Sequence, residues 1–212
     1  ERHRTDEERR LTTAFAAVID DSETWSGTVD GLADVLRRNL RYDVAEVWSW
    51  SPQRESLRLV SVRADPDDLA AEPFLRATEG FVPDPVALIT RVADTDRLVL
   101  TSDLATDPTF QRAAAATAAG LRTALHARLA VDRSTLLVVG LFRRGPVDDD
   151  SDVIFERAVV AIGDMLARRR SSLELERLFE LSREYMAITG ISGGLRRVNP
   201  AMAEVLGYDE ES

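Results

Sequence analysis

Apolar residues fall at helical spacing toward both ends of this 212-residue chain, and in shorter β-rich runs between them. Leu11, Ala14, Phe15, Val18 and Ile19 share one helical face within residues 5–19, after an Asp6, Glu7, Glu8 opening that suits the positive end of a helix dipole. Ser26 is placed to cap a second helix whose Val29, Leu32, Ala33, Val35, Leu36 and Leu40 lie on one side. Residues 44–50 and 57–63 read as strands joined by turn-forming residues 51–55, which makes the pair antiparallel. Residues 65–85, rich in Pro and Asp, read as an irregular crossover with one short helix around 69–77, placed to serve as a ligand lid. A short helix (86–93), a strand (97–101), an Ala-rich helix (108–119) ended by Gly120, and a second strand pair (121–129 and 135–142) follow.

The last long pattern is helical. Phe155, Ala158, Val159, Ile162, Met165 and Leu166 form one stripe, which Arg168, Arg169 and Arg170 interrupt before Leu173, Leu175, Leu178 and Leu181 resume it in a shifted phase. At ~1.5 Å per residue, such a helix reaches on the order of 40 Å, longer than one small domain needs, so it is expected to leave the domain as a connector. The acidic run at 148–152 reads as the charge cluster of its N-terminus rather than as a metal loop.

Composition narrows the function classes. The chain has no Cys, which removes disulfides, thiolate nucleophiles and thiolate metal sites, and fits a reducing cytoplasm. A formal charge of −10 argues against a nucleic-acid surface, which needs a concentrated positive patch. No apolar run approaches the ~20 residues of a membrane span, so a soluble protein is expected, and with the lack of Cys a cytoplasmic one. The start on Glu1, without an initiator Met or a leader pattern, reads as a piece of something longer. All 27 basic residues are Arg, read here as compositional bias. Nucleophilic triads, P-loops and clustered metal ligands have no match, so the chain is expected to be non-catalytic.

Three stretches carry a family resemblance: 86–104 (VALITRVADTDRLVLTSDL), 107–129 with its Asp-Pro start and Gly-Leu-Arg-Thr-Ala-Leu entry, and 137–146 (LVVGLFRRGP). In this order, with two helices ahead and a long helix after, residues 24–170 resemble a GAF domain. The resemblance implies an α+β fold, an antiparallel sheet with helices on one face and a ligand cleft on the other, followed by a long C-terminal linker helix. Residues 179–208 are similar to the opening of a PAS domain, on Val198, Asn199, Pro200, Ala201, Leu206, Gly207 and Tyr208. The organisation expected is an N-terminal signalling and dimerisation helix at 1–23, a GAF-like domain at 24–170, a helical linker at 171–178 and a truncated PAS-like start at 179–212. What the resemblance implies is a sensory module that binds a small molecule and controls an output domain of the same full-length chain. Without Cys, a Cys-linked bilin and the thiol chemistry of GAF-type methionine sulfoxide reductases are excluded; without Lys, the cyclic-nucleotide signature is absent.

Two candidate ligand walls follow. Alternation along 121–129 puts Arg122, His126 and Arg128 on one strand face, which reads either as an anion-recognising wall or as a solvated face with local ion pairs. Read as the first, it leaves open an enzyme acting on a small anion; His126 also stands as a haem ligand only if a deep apolar pocket surrounds it. Trp48 and Trp50 point the same way along their strand and, with Phe81 and Phe110, either line a small-molecule pocket or pack in the core. The sequence does not name a cofactor. The apolar faces Leu11, Phe15, Val18 and Phe155, Ile162, Met165, Leu166 exceed what one sheet face obviously needs, so a parallel homodimer through these helices is expected, the alternative being a monomer whose helices simply cap the sheet; a ligand-free dimerisation scaffold is a further functional alternative.

Overall fold

The computed structural model describes residues 2–51, 56–95, 98–132, 135–147, 151–191 and 194–207, with side chains from residue 5 onward. Pro52 to Glu55, Arg97, Arg133 and Ser134, Asp148 to Asp150, Gly193 and Tyr208 lie outside the described residues. The chain divides into two units, Glu1–Ala167 and Arg168–Ser212.

The first unit opens with helices α1 (Arg2–Asp21) and α2 (Trp25–Asn39). Thr24, not Ser26, caps α2, its hydroxyl accepting from the Gly27 amide at 3.1 Å. Thr24 is the last extended residue before the helix, which is where a side-chain oxygen can reach an orphan amide. Strands β1 (Val44–Ser51) and β2 (Ser56–Ala64) come next, then a 3-10 turn at Leu69–Ala71, α3 (Glu72–Glu79) and α4 (Leu88–Ala93). They are followed by β3 (Val99–Thr101), α5 (Ala113–Ala118), β4 (Thr123–Ala130), β5 (Leu136–Arg143) and α6 (Ser151–Leu181). The five strands form one antiparallel sheet in the order β2-β1-β5-β4-β3. The Ala-rich helix starts later than its Pro signal implies, because Asp107 turns the chain first: its carboxylate accepts from both the amide and the hydroxyl of Thr109.

Period-two alternation sends the two sets of strand side chains into two cores. Ala45, Val47, Leu125, Ala127, Leu129, Leu137, Val139 and Leu141 meet α1, α2 and α6 on one face. Val44, Trp48, Ala124, Val138 and Phe142 face α3, α4, α5 and their connecting loops on the other. Of the residues expected at a dimer seam, Leu11, Phe15, Phe155, Ile162 and Leu166 are wholly buried inside the first core, and Val18 and Met165 are packed against it. Their apolar surface is consumed by the chain's own sheet, since three helices share that face. Close approach is part of this packing: a Cβ on Gly163 of α6 would lie 2.6 Å from the Ala130 carbonyl oxygen.

On the cleft face, Arg144 fixes the crossover. Its guanidinium bonds Asp43 at 3.0 Å, Asp68 at 2.7 Å and the Ala119 carbonyl at 3.0 Å, tying the start of β1, the crossover and the end of α5 to the end of β5.

The second unit takes in the end of α6, β6 (Ala187–Thr189), β7 (Leu195–Val198) and α7 (Pro200–Leu206). Only two strands pair, antiparallel, so a complete sheet is not formed among the described residues. Asn199 organises the segment. Its side chain caps α7 at the Met202 amide, accepts from the Met186 amide and donates to the Ser182 and Glu184 carbonyls, while Gly207 ends α7 with a left-handed φ of 74°.

Replacing Gly163 by Ala is expected to lower stability by about 1–3 kcal/mol, because the obstacle is backbone and cannot rotate away. Helix propensity alone would make Ala the better residue by ~1 kcal/mol, so the sign of the change in a urea unfolding series checks the packing of α6 on β4.

Candidate functional site

Three neighbouring strands place one row of side chains across the middle of the cleft face. Glu46 on β1 is register partner to Gly140 on β5, and Gly140 is partner to His126 on β4. Both Glu46 and His126 have zero exposure. Gly140 is what lets them coexist: a Cβ there would meet the Glu46 carboxylate oxygen at 2.9 Å and the His126 ring at 3.1 Å.

The charge on Glu46 is matched by Arg112, which enters from the loop just ahead of α5. Its two terminal nitrogens donate to the two Glu46 oxygens at 2.6 and 2.8 Å, a fork-on-fork pair, and one of them also donates to the Thr78 hydroxyl at 2.5 Å. Thr78 can accept because its own proton goes to the Phe74 carbonyl at 2.8 Å. Aromatic rings close the rest of the space. The guanidinium carbon lies 4.8 to 5.8 Å from the ring centroids of Phe81, Phe74, Phe110, Phe142 and Trp48, all within cation–π range.

His126 stands beside this pair without joining it. Neither ring nitrogen has a hydrogen-bond partner, Nε2 being 4.0 Å from a Glu46 oxygen, and the ring meets Phe142 edge-on at 5.3 Å. Burial pushes its pKa down from 6.5 to about 4; Glu46 and Asp107 oppose the shift and Arg112 adds to it. His126 is therefore a neutral imidazole at ordinary pH. The Trp48 indole nitrogen is likewise buried without a partner.

The space left around Arg112 is about 10 Å³, bounded by Phe81, Leu88, Phe110, Arg112 and His126 among others, which is room for no more than one water. Outside it, a surface cleft of about 430 Å³ runs between α4, β3 and residues 102–109. Leu88 and Thr109 line both spaces, and the Leu88 amide donates to the Thr109 carbonyl at 2.8 Å between them.

The residues anticipated from sequence divide clearly. Trp48, Phe81 and Phe110 do surround one site, whereas Trp50 packs against the same core without a described contact to Arg112. Arg122, His126 and Arg128 do not form an anion wall. Arg122 precedes β4 with an exposed side chain, and Arg128 lines a separate cavity of about 400 Å³ with Glu156 and Asp164. Only His126 reaches the cleft. The central groups Glu46, Arg112, Thr78, Phe74 and Phe142 were not foreseen; the available signals were a lone Glu inside an apolar strand and a lone Gly inside another. Among the described residues no group of three His, Asp or Glu side chains is placed to hold a metal ion.

Comparison with solved structures follows this architecture. A GAF domain of a phosphoenolpyruvate-protein phosphotransferase from Coxiella burnetii superposes with a TM-score of 0.61 at 8% identity, covering 78% of this chain and 96% of that one. This is a GAF-like fold. Free methionine-R-sulfoxide reductase from Neisseria meningitidis, solved with its substrate, gives 0.59 at 12% identity, covering 80% and 91%. The phycoerythrobilin-bound GAF domain of a cyanobacterial phytochrome gives 0.57 at 15%, covering 80% and 97%. No family model and no curated protein sequence matches the chain. The GAF-like cleft here is closed around an internal arginine.

Two predictions test this geometry. Arg112→Ala strands a buried carboxylate and is expected to cost on the order of 3–5 kcal/mol, whereas the double replacement Glu46→Leu, Arg112→Met recovers most of it; chemical denaturation of both variants checks this. Unfolded, His126 binds a proton below pH 6.5; folded, only below about pH 4. Between those values the unfolded state holds more protons, so stability falls as pH drops from 6.5 toward 4. Relative to His126→Leu, the wild type is expected to lose up to about 3 kcal/mol over that window in paired unfolding curves.

Proposed function

We propose that this chain is a sensory module of a signal-transduction protein, cytoplasmic and non-enzymatic, which binds a small molecule in the GAF-like cleft and passes the change to an output domain of the same full-length chain. The observation that carries the reading is a fully buried Glu46–Arg112 pair set in an aromatic cage beside two unpartnered polar groups, His126 and the Trp48 indole. A small domain gains little stability from such a pair. Burial lowers the pKa of the neighbouring His126, and a perturbed ionisable group in a cleft is a functional-site candidate. The outer cleft supplies an approach to it. A kinase, a cyclic-di-GMP enzyme or a phosphatase would serve as the output.

α6 is the natural carrier of the signal: it buries Phe155, Ile162 and Leu166 against the sheet and continues past Ala167 into the second unit, which we read as the start of a PAS-like domain. Parallel homodimerisation stays within the proposal in reduced form. With Leu11, Phe15, Phe155, Ile162 and Leu166 enclosed, the dimer would use the outer surface of these helices, where Val160 is 70% exposed and Val18 and Met165 are partly so.

An unbiased thermal-shift screen of metabolites tests the sensor reading. A specific ligand is expected to raise the melting temperature by mass action, about 2.7 kcal/mol at a hundredfold excess over Kd, and Glu46→Gln to lose the shift. Turnover of a metabolite by the purified chain, abolished in His126→Ala, would instead make it an enzyme; a screen with no ligand would leave a dimerisation scaffold.

A further inference from the structure

The cage is built around a guanidinium. Glu46 offers two oxygens to two nitrogens of one planar fork at 2.6 and 2.8 Å, Thr78 accepts a further N–H at 2.5 Å, and aromatic faces enclose the remainder. An ammonium, being a point donor, cannot make that paired contact. The occupant is a side chain of the protein itself, and its backbone belongs to a loop: Arg112 sits at the N-terminal boundary of the short helix α5, outside regular structure, with φ −102° and ψ 25°. Residues 102–111 ahead of it form neither strand nor helix, so the side chain can swing out while the Arg112 carbonyl keeps its bond to the Ala116 amide.

What happens when it leaves is dictated by charge. Glu46 is wholly buried on the central strands and cannot follow Arg112 to solvent. An uncompensated carboxylate at that depth is costly, so the vacated space selects a cation of the same shape. With Arg112 in place, the residual 10 Å³ admits no ligand at all. The adjoining 430 Å³ cleft, lined by Arg91, Thr95, Asp103, Thr106, Asp107 and Thr109, carries both signs of charge and several hydroxyls to hold a polar tail.

We propose that Arg112 is a resident pseudo-ligand, and that the sensed molecule is a guanidinium-bearing small molecule that displaces it from Glu46, with its polar tail in the outer cleft. This deepens the sensor reading and rests on it. Exchange of one guanidinium for another keeps the buried charge balanced while releasing Arg112 and the loop before α5, and that release is the signal.

Calorimetric titration of the whole 212-residue chain with ethylguanidinium, L-arginine and butylammonium tests it. Removing the internal competitor is expected to tighten binding of ethylguanidinium and L-arginine at least tenfold in Arg112→Ala. Glu46→Gln abolishes binding. Because Arg112→Ala can fail to fold, Arg112→Lys is measured beside it, with near-UV circular dichroism as the check; it keeps the positive charge, lacks the fork, and is expected to shift affinity in the same direction. Failure of both guanidinium probes to bind wild type and variants overturns the proposal, as does butylammonium binding equally well. A ligand from the metabolite screen that binds wild type and is weakened by Arg112→Ala would be an anion held by Arg112. That result overturns the displacement and leaves the sensor reading standing.

Discussion

One buried ion pair organises the cleft half of this domain. Glu46 projects from an inner strand and is wholly buried, and it persists there as an acceptor because Arg112 reaches it with both terminal nitrogens. The residues around the pair favour that geometry. Gly140 leaves room beside the carboxylate, Thr78 takes the spare N–H, and Phe74, Phe81, Phe110, Phe142 and Trp48 exclude solvent from the guanidinium. The cost of breaking such a pair exceeds what it adds to stability over a well-packed apolar equivalent. Such a pair is the one the proposed exchange of guanidinium groups would act on.

The two faces of the sheet serve different ends. The face covered by α1, α2 and α6 is largely apolar, with Leu11, Phe15, Phe155, Ile162 and Leu166 filling it. The opposite face has the charges, the unpartnered imidazole and indole, and three helices of eight residues or fewer joined by turns. Regions with short elements and much loop are drawn from the less stable end of a domain, where ligand-driven rearrangement is least costly. A change at Arg112 therefore has somewhere to go, and the sheet and α6 offer a firm reference against which it acts.

How much of this could be read from sequence depended on the distance over which the deciding interactions act. Strands and helices were visible because alternation and the three-and-four spacing are local, and the two strand pairs and the long final helix follow from them. The cap of α2 moved from Ser26 to Thr24, and the Ala-rich helix began at Ala113 after an Asp107 turn, because several polar residues in a row offer equivalent local bonds. The helical stripes assigned to a dimer turned out to cover the sheet, since periodicity shows that a face is buried and not what buries it. The site was less legible still. Glu46 and Arg112 are 66 residues apart, and nothing local couples them. Arg122 and Arg128 share strand parity with His126, yet one lies before the strand and the other beside Glu156, so alternation alone could not gather them into one site. The legible clue was Gly140 within Leu136–Arg143, a gap in an apolar strand that signals something large on its neighbours.

The central claim is that one arginine of the 27 basic residues is locked in the cleft by Glu46 and ringed by aromatic faces. Nuclear magnetic resonance of the guanidinium groups tests it directly. Arg112 is expected to give slowly exchanging side-chain N–H signals, displaced upfield by the surrounding rings and lost in Glu46→Gln, while exposed arginines exchange rapidly with water. A spectrum in which no arginine shows a ring-shifted, protected guanidinium would contradict the account.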